Sequence, residues 1–178
     1  MDKLFDDTLF IQKERPTKIT KQQEEKMFIN LAKEVIKNKY SFDGEETISE
    51  DLKGLSLHDN GFEKAKNLES DGNASYTFDG EFIDWLDGMD YSRESILKEN
   101  VKLWVKSHNP QPKIEKGTKL IINESLNFFL KDLRKDCIVY VTGVNMEQAY
   151  YTISADKDNK GGCILAFEKV EFNCEVSE

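Results

Sequence analysis

At His108-Asn109-Pro110-Gln111-Pro112 the hydrophobic pattern of this 178-residue chain changes period, and no other feature constrains the fold as tightly. Before that point apolar residues recur every three or four positions, as on one face of a helix. After it they fall into short alternating runs, as in strands. Two prolines within three residues do not continue a helix, so they mark the boundary. The expected class is α+β, with an N-terminal arm over 1–19, a helical acidic domain over 20–109 and a small β domain over 113–174.

The first helix is the best-marked element. Thr20 and Gln23 have the Thr-x-x-Gln spacing of a capping box. Met27, Phe28, Leu31, Ala32, Val35 and Ile36 then form one apolar stripe, and Asp43-Gly44 signals a turn after Tyr40. Residues 41–76 have few anchors (Ile48, Leu52, Leu55 and Leu57), which predict short helices around 49–53 and 62–68. Asn60-Gly61 and Asp71-Gly72 read as turns. Asp79 is placed to cap a helix carrying Phe82, Ile83, Trp85 and Leu86 and ending at Gly88. Ser92 is placed to cap another, with Ile96, Leu97, Val101, Trp104 and Val105 on one face, and the short link predicts a helical hairpin. In the arm, Leu4, Phe5, Leu9, Phe10 and Ile11 follow no long period and are expected to pack on the main body.

Beyond Lys113, strands are expected over 118–122, 137–142, 148–154 and 163–167, with a short fifth over 170–172. Gly143-Val144-Asn145 and 158–162 serve as hairpin loops. Leu126, Phe129, Leu130 and Leu133 fall in a long loop or a short helix after the first strand. Five short strands with one long first loop resemble an SH3-like antiparallel β-barrel. The resemblance implies a peptide reader, a nucleic-acid reader or a structural module, and the architecture does not choose among them.

Hydrophobic residues make up 38% of the chain and charged residues 33%, yet 11 Phe, 6 Tyr and 2 Trp are too many bulky groups for a disordered chain. A folded protein with a modest core and a charged surface is expected. No apolar run approaches the roughly 18 residues of a membrane span. The start, Met1 to Asp7, is acidic where a secretory signal is basic. Cys137, Cys163 and Cys174 are odd in number, which suits free thiols in a reducing cytoplasm. The excess of lysine over arginine and the frequent asparagine suit an AT-rich bacterial or phage coding sequence.

The net charge of −9 is unevenly spread. Residues 41–90 hold fourteen acidic and three basic residues, or −11, whereas residues 12–40 are +4. Within the acidic block, Asp79, Glu81, Asp84, Asp87 and Asp90 form a cluster in which Glu81, Asp84 and Asp87, three apart, can line one edge of a helix, with Trp85 as a candidate anchor. Such carboxylates suit a solvated helix face, a surface for a basic partner, or a Mg²⁺ or Ca²⁺ site.

Other motifs carry less. Asp156-Lys157-Asp158-Asn159-Lys160-Gly161 opens like a calcium loop, but it has Lys at the fifth position and Phe167 where a bidentate Glu belongs. The cysteines lack C-x-x-C spacing, and the two histidines, His58 and His108, come with no G-x-S-x-G. Gly161-Gly162 lacks the remainder of a phosphate loop. Tyr140 and Tyr150 run out of phase with the core positions of their strands and form a candidate aromatic patch.

The leading expectation is a non-enzymatic binding or inhibitor protein whose acidic surface engages a basic, nucleic-acid-binding site on a partner protein, through Asp79, Glu81, Asp84, Trp85, Asp87 and Asp90. No cofactor, metal, membrane or direct nucleic-acid contact is expected. The alternatives are a metal-dependent hydrolase using the same carboxylates and an adaptor with a peptide-reading SH3-like domain.

Overall fold

A computed structural model describes residues 14–56, 58–123, 135–158 and 162–177. The apolar residues of the arm from Leu4 to Ile11, Leu57, the stretch from Leu126 to Leu133, and Asn159 to Gly161 lie outside the described residues. The chain divides into two compact units, Met1–Asn100 and Val101–Glu178. The division falls inside a helix and not at the prolines, because Ile96 packs on the helical core while Trp104 and Val105 pack on the core of the sheet.

The helical unit contains α1 (Lys21–Lys37), α2 (Glu45–Lys53), α3 (Gly61–Asp71), α4 (Gly80–Gly88) and the first part of α5 (Asp90–His108). The capping box of α1 is formed as the spacing predicts: Gln23 N–H donates to Thr20 Oγ1, and Thr20 N–H donates to Gln23 Oε1. The same Gln23 amide exchanges two hydrogen bonds of 2.9 Å with Asn100, so one buried side chain closes the cap and holds α5. Inside, Phe82 is fully buried and stacked, with ring centroids 4.5 Å from Tyr40 and 5.8 Å from Tyr76 and from Trp85.

Two local expectations change. α5 begins at Asp90, so Ser92 lies in its first turn and does not precede it. Met89, the one residue between α4 and α5, is buried, too short a link for the loop of an antiparallel hairpin. α4 packs along α3 instead, and α1 along α2.

The sheet unit is antiparallel and five-stranded, in the order β4-β3-β2-β1-β5. Its strands are β1 (Lys119–Ile122), β2 (Ile138–Asn145), β3 (Tyr150–Ser154), β4 (Cys163–Ala166) and β5 (Cys174–Val176). Leu120, Ile122, Val139, Val141, Tyr151, Ile153 and Leu165 face its core. A register shift between Val141 and Gly143 bends β2.

Residues 170–172 are not a strand. They belong to α6 (Phe167–Asn173), in which Phe167 and Val170 are buried at helical spacing while Phe172 is 83% exposed. The fifth strand follows that helix and pairs with β1. The sheet is not closed into the expected barrel, since β4 and β5 stand at opposite ends of it. Closure would require those two short strands, of four and three residues, to pair with each other. Tyr151 ties the unit together: its hydroxyl donates to Glu171 at 2.8 Å and accepts from Ile114 N–H at 3.1 Å. Burial, with help from Glu171, pushes its pKa up to about 12.

Asp51 fastens α2 to the segment after α3. It is buried and accepts from the N–H groups of Asn73 and Ala74, the Asn73 amide and the Tyr76 hydroxyl, at 2.9–3.0 Å. Burial alone would raise its pKa, but these donors outweigh it and hold the carboxyl below its usual value. A depressed folded pKa contributes stability above the unfolded carboxyl value, about 3.9, and loses it as pH falls through the folded value. Asp51→Asn should lower stability by roughly 2–3 kcal/mol. It should also flatten the loss of stability on acidification below about pH 4, both read from urea midpoints at unchanged slope.

Candidate functional site

α4 reads Gly-Glu-Phe-Ile-Asp-Trp-Leu-Asp-Gly. Turning through about 100° per residue sends Phe82 and Leu86 into the core and leaves Glu81, Asp84 and Asp87 exposed. The predicted acidic cluster then separates by role.

Asp79 is the N-cap of α4 and accepts from Phe82 N–H at 2.8 Å. Asp87 accepts from Gly61 N–H, also at 2.8 Å, and so holds the first turn of α3 against α4. That approach is close: a Cβ at position 61 would stand 2.2 Å from the Ile83 carbonyl oxygen, which is why the expected Asn60-Gly61 turn is a helix start that only glycine fits. Asn60 caps α3, in a reciprocal box with Glu63. Asp90 is the counter-ion of Lys64, whose Nζ lies 2.6 Å from Asp90 Oδ2 and donates to the Leu86 carbonyl at 3.2 Å. The Lys64 side chain has no exposure at all.

Glu81 and Asp84 point to solvent from the same helix. Trp85 is half-buried. Its ring stacks on Phe82, and its Nε1–H donates to Glu34 Oε2 at 3.3 Å, linking α4 to α1. Burial raises the pKa of Tyr40, and the charges of Glu81 and Asp79 raise it further, so negative potential gathers at the start of α4.

Among the described residues no three His, Cys, Asp or Glu side chains come together to hold a metal ion. The hydrolase alternative therefore finds no assembled carboxylate site there. The sheet unit separates the other predicted pair. Tyr140 lies across from Ser154, whereas Tyr150 lies across from Asn145 and Ala166. Four residues along β3 between these registers is roughly 13 Å, so the two half-buried tyrosines share the face opposite the core without touching as one patch. Burial raises the thiol pKa of Cys163, and that of Cys174 to about 11. This is the opposite of what a reactive cysteine needs. His108 stacks on Trp104 and its Nδ1 lies 3.1 Å from the Trp104 carbonyl, a local role at the end of α5.

Lys64 was missed by sequence reasoning, although a signal existed. Gly61, Ala65 and Leu68 are buried at helical spacing, and position 64 falls on their face. Asp51 and the Gln23–Asn100 pair carried no comparable mark.

No protein-family model, curated protein or solved structure matches this chain. No helix among the described residues is long and apolar enough to cross a membrane.

The division of roles within the cluster is testable by stability. Asp90→Asn leaves a buried ammonium without its counter-charge and should cost about 3–5 kcal/mol. Glu81→Gln with Asp84→Asn should stay within about 0.5 kcal/mol of wild type. Thermal unfolding of the two variants checks both.

Proposed function

We propose that the helical unit is a non-enzymatic binding module, inhibitory in kind, whose acidic surface engages a basic, nucleic-acid-binding site on a partner protein. One observation carries the reading. Eleven of the fourteen acids in residues 41–90 are exposed, against two of the three lysines, because Lys64 is spent inside on Asp90. Most of the negative charge of the block is thus carried at the surface, with two exposed lysines to offset it. Such a surface attracts a basic groove, speeds encounter and weakens with salt. Glu81 and Asp84 are the residues of the acidic cluster that combine exposure with no hydrogen bond or ion pair among the described residues. Asp79 and Asp87 add charge while also holding the fold, and Asp90 is neutralised by Lys64.

A second reading, an adaptor whose sheet unit reads a peptide, is favoured by the outer face of the sheet. Ile164 is 64% exposed there and Ile138 47%, beside the half-buried Tyr140 and Tyr150. The return of β5 to β1 after a short helix, and the long connection from β1 to β2, support an SH3-like arrangement without closure.

Capture from a nuclease-treated lysate of the source cells, eluted by a salt gradient, tests the first reading. The wild type should retain a nucleic-acid-binding protein that elutes at moderate salt, and Glu81→Lys with Asp84→Lys should lose most of it. Equal retention by both proteins, or retention that needs nucleic acid, would exclude the acidic-surface reading. Retention abolished by Ile164→Lys alone would favour the sheet.

A further inference from the structure

The two edges of the sheet differ in what they expose. Phe167 N–H donates to the Ala149 carbonyl at 3.0 Å, one residue beyond the pair of Tyr150 with Ala166. Hydrogen-bonded and non-hydrogen-bonded pairs alternate along an antiparallel ladder, so Leu165 bonds inward to Tyr151 and Cys163 to Ile153. The N–H groups of Ile164 and Ala166 and the carbonyl of Ile164 therefore point away from the sheet. Among the described residues no backbone group bonds to them. The Ile164 side chain beside them is 64% exposed.

Edge strands ordinarily carry a charge, a proline or a bulge that discourages a further strand. The four residues of β4, Cys163-Ile164-Leu165-Ala166, hold no charge and no proline, and their pairing with β3 shows no register shift. At the other edge, Glu175 is the middle residue of β5. Charge over the whole unit points the same way. Val101–Glu178 holds eleven basic and eleven acidic residues, a net charge of zero, so the entire excess of −9 lies in Met1–Asn100. Copies that meet at their sheets bring neutral units together.

We propose that β4 pairs antiparallel with β4 of a second copy, joining two five-stranded sheets edge to edge. The outward groups fix the register. With Ile164 on the two-fold axis, each Ile164 N–H donates to the Ile164 carbonyl across the axis, and each Ala166 N–H faces the Gly162 carbonyl, about four hydrogen bonds in all. The two Ile164 side chains stand side by side on the face opposite the core and cover each other. The chain itself thus supplies an uncharged strand that fits β4, and a contact between identical edges closes at two copies. The inference does not depend on the acidic-surface reading. Each dimer carries two acidic units, so binding to a partner with two basic sites is bivalent.

Sedimentation velocity of the full chain from about 5 to 500 μM tests it, a range suited to a contact at the weak end of protein interfaces. The wild type should pass reversibly from monomer to dimer and go no further. Ile164→Pro removes an outward N–H and none that pairs within the sheet. It should keep the wild-type circular dichroism and weaken the dimer at least about tenfold. Ile164→Lys, which sets like charges across the axis, should do the same. Val176→Lys, on the β5 edge, should leave the dimer unchanged. Ile164→Cys should give a disulfide-linked dimer under mild oxidation, faster than the wild-type cysteines do, because residues facing across the axis lie about 5.5 Å apart at Cα.

A wild type that stays monomeric throughout the range overturns the proposal. So does a dimer that Ile164→Pro and Ile164→Lys leave intact, or one that Val176→Lys dissolves, which places the contact at β5. If Ile164→Pro does not fold, the cross-link decides: without a linked Ile164→Cys dimer there is no β4 pair.

Discussion

The ammonium of Lys64, fully buried and answered by Asp90 and the Leu86 carbonyl, is the constraint around which the helical unit is arranged. A buried charge is tolerable only with a counter-charge and hydrogen bonds in place. α3 must therefore meet the junction of α4 and α5 in one geometry. Gly61 and Asp87 enforce the same geometry one turn earlier, at the start of α3, where the backbones approach too closely for a side chain. The stack of rings around Phe82 fills the space beside this junction. Apolar packing supplies most of the stability of such a unit, but it is non-directional. The ion pair and the backbone bond to Asp87 are the directional parts.

This internal pairing shapes the surface. Lys64 and Asp90 cancel one charge of each sign and leave the remaining acids of the block at the surface. Asp51 is the exception, taking one negative charge inward and satisfying it with donors from the segment after α3. The net result is that, within residues 41–90, exposed carboxylates greatly outnumber exposed cations. A field of this kind governs encounter and partner choice, not the fold.

Much of the fold was legible in the sequence. The Thr20–Gln23 box and the stripe from Met27 to Ile36 specify α1 by local rules that tertiary contacts do not override. Asp79 as the cap of α4 follows equally from its position three residues before Phe82. The four strands from β1 to β4 follow from alternation, with ends shifted by a residue or two. Val170 to Phe172 misled because two apolar residues two positions apart suit a strand, whereas the deciding spacing was Phe167 to Val170, which buries one face of a helix. The acidic cluster was legible as charge but not as function. Asp79, Asp87 and Asp90 look like Glu81 and Asp84 until their partners, some of them 26 positions away, are known.

The sequence by itself determined the two kinds of secondary structure, their change near Pro110 and the concentration of negative charge between Ser41 and Asp90, because these depend on residues close together in the chain. The tertiary structure decided which acids are occupied, which are exposed, and that the sheet stays open. Each of these is a relation between residues distant in sequence, and burial, hydrogen bonding and strand pairing are settled only when the chain brings them together.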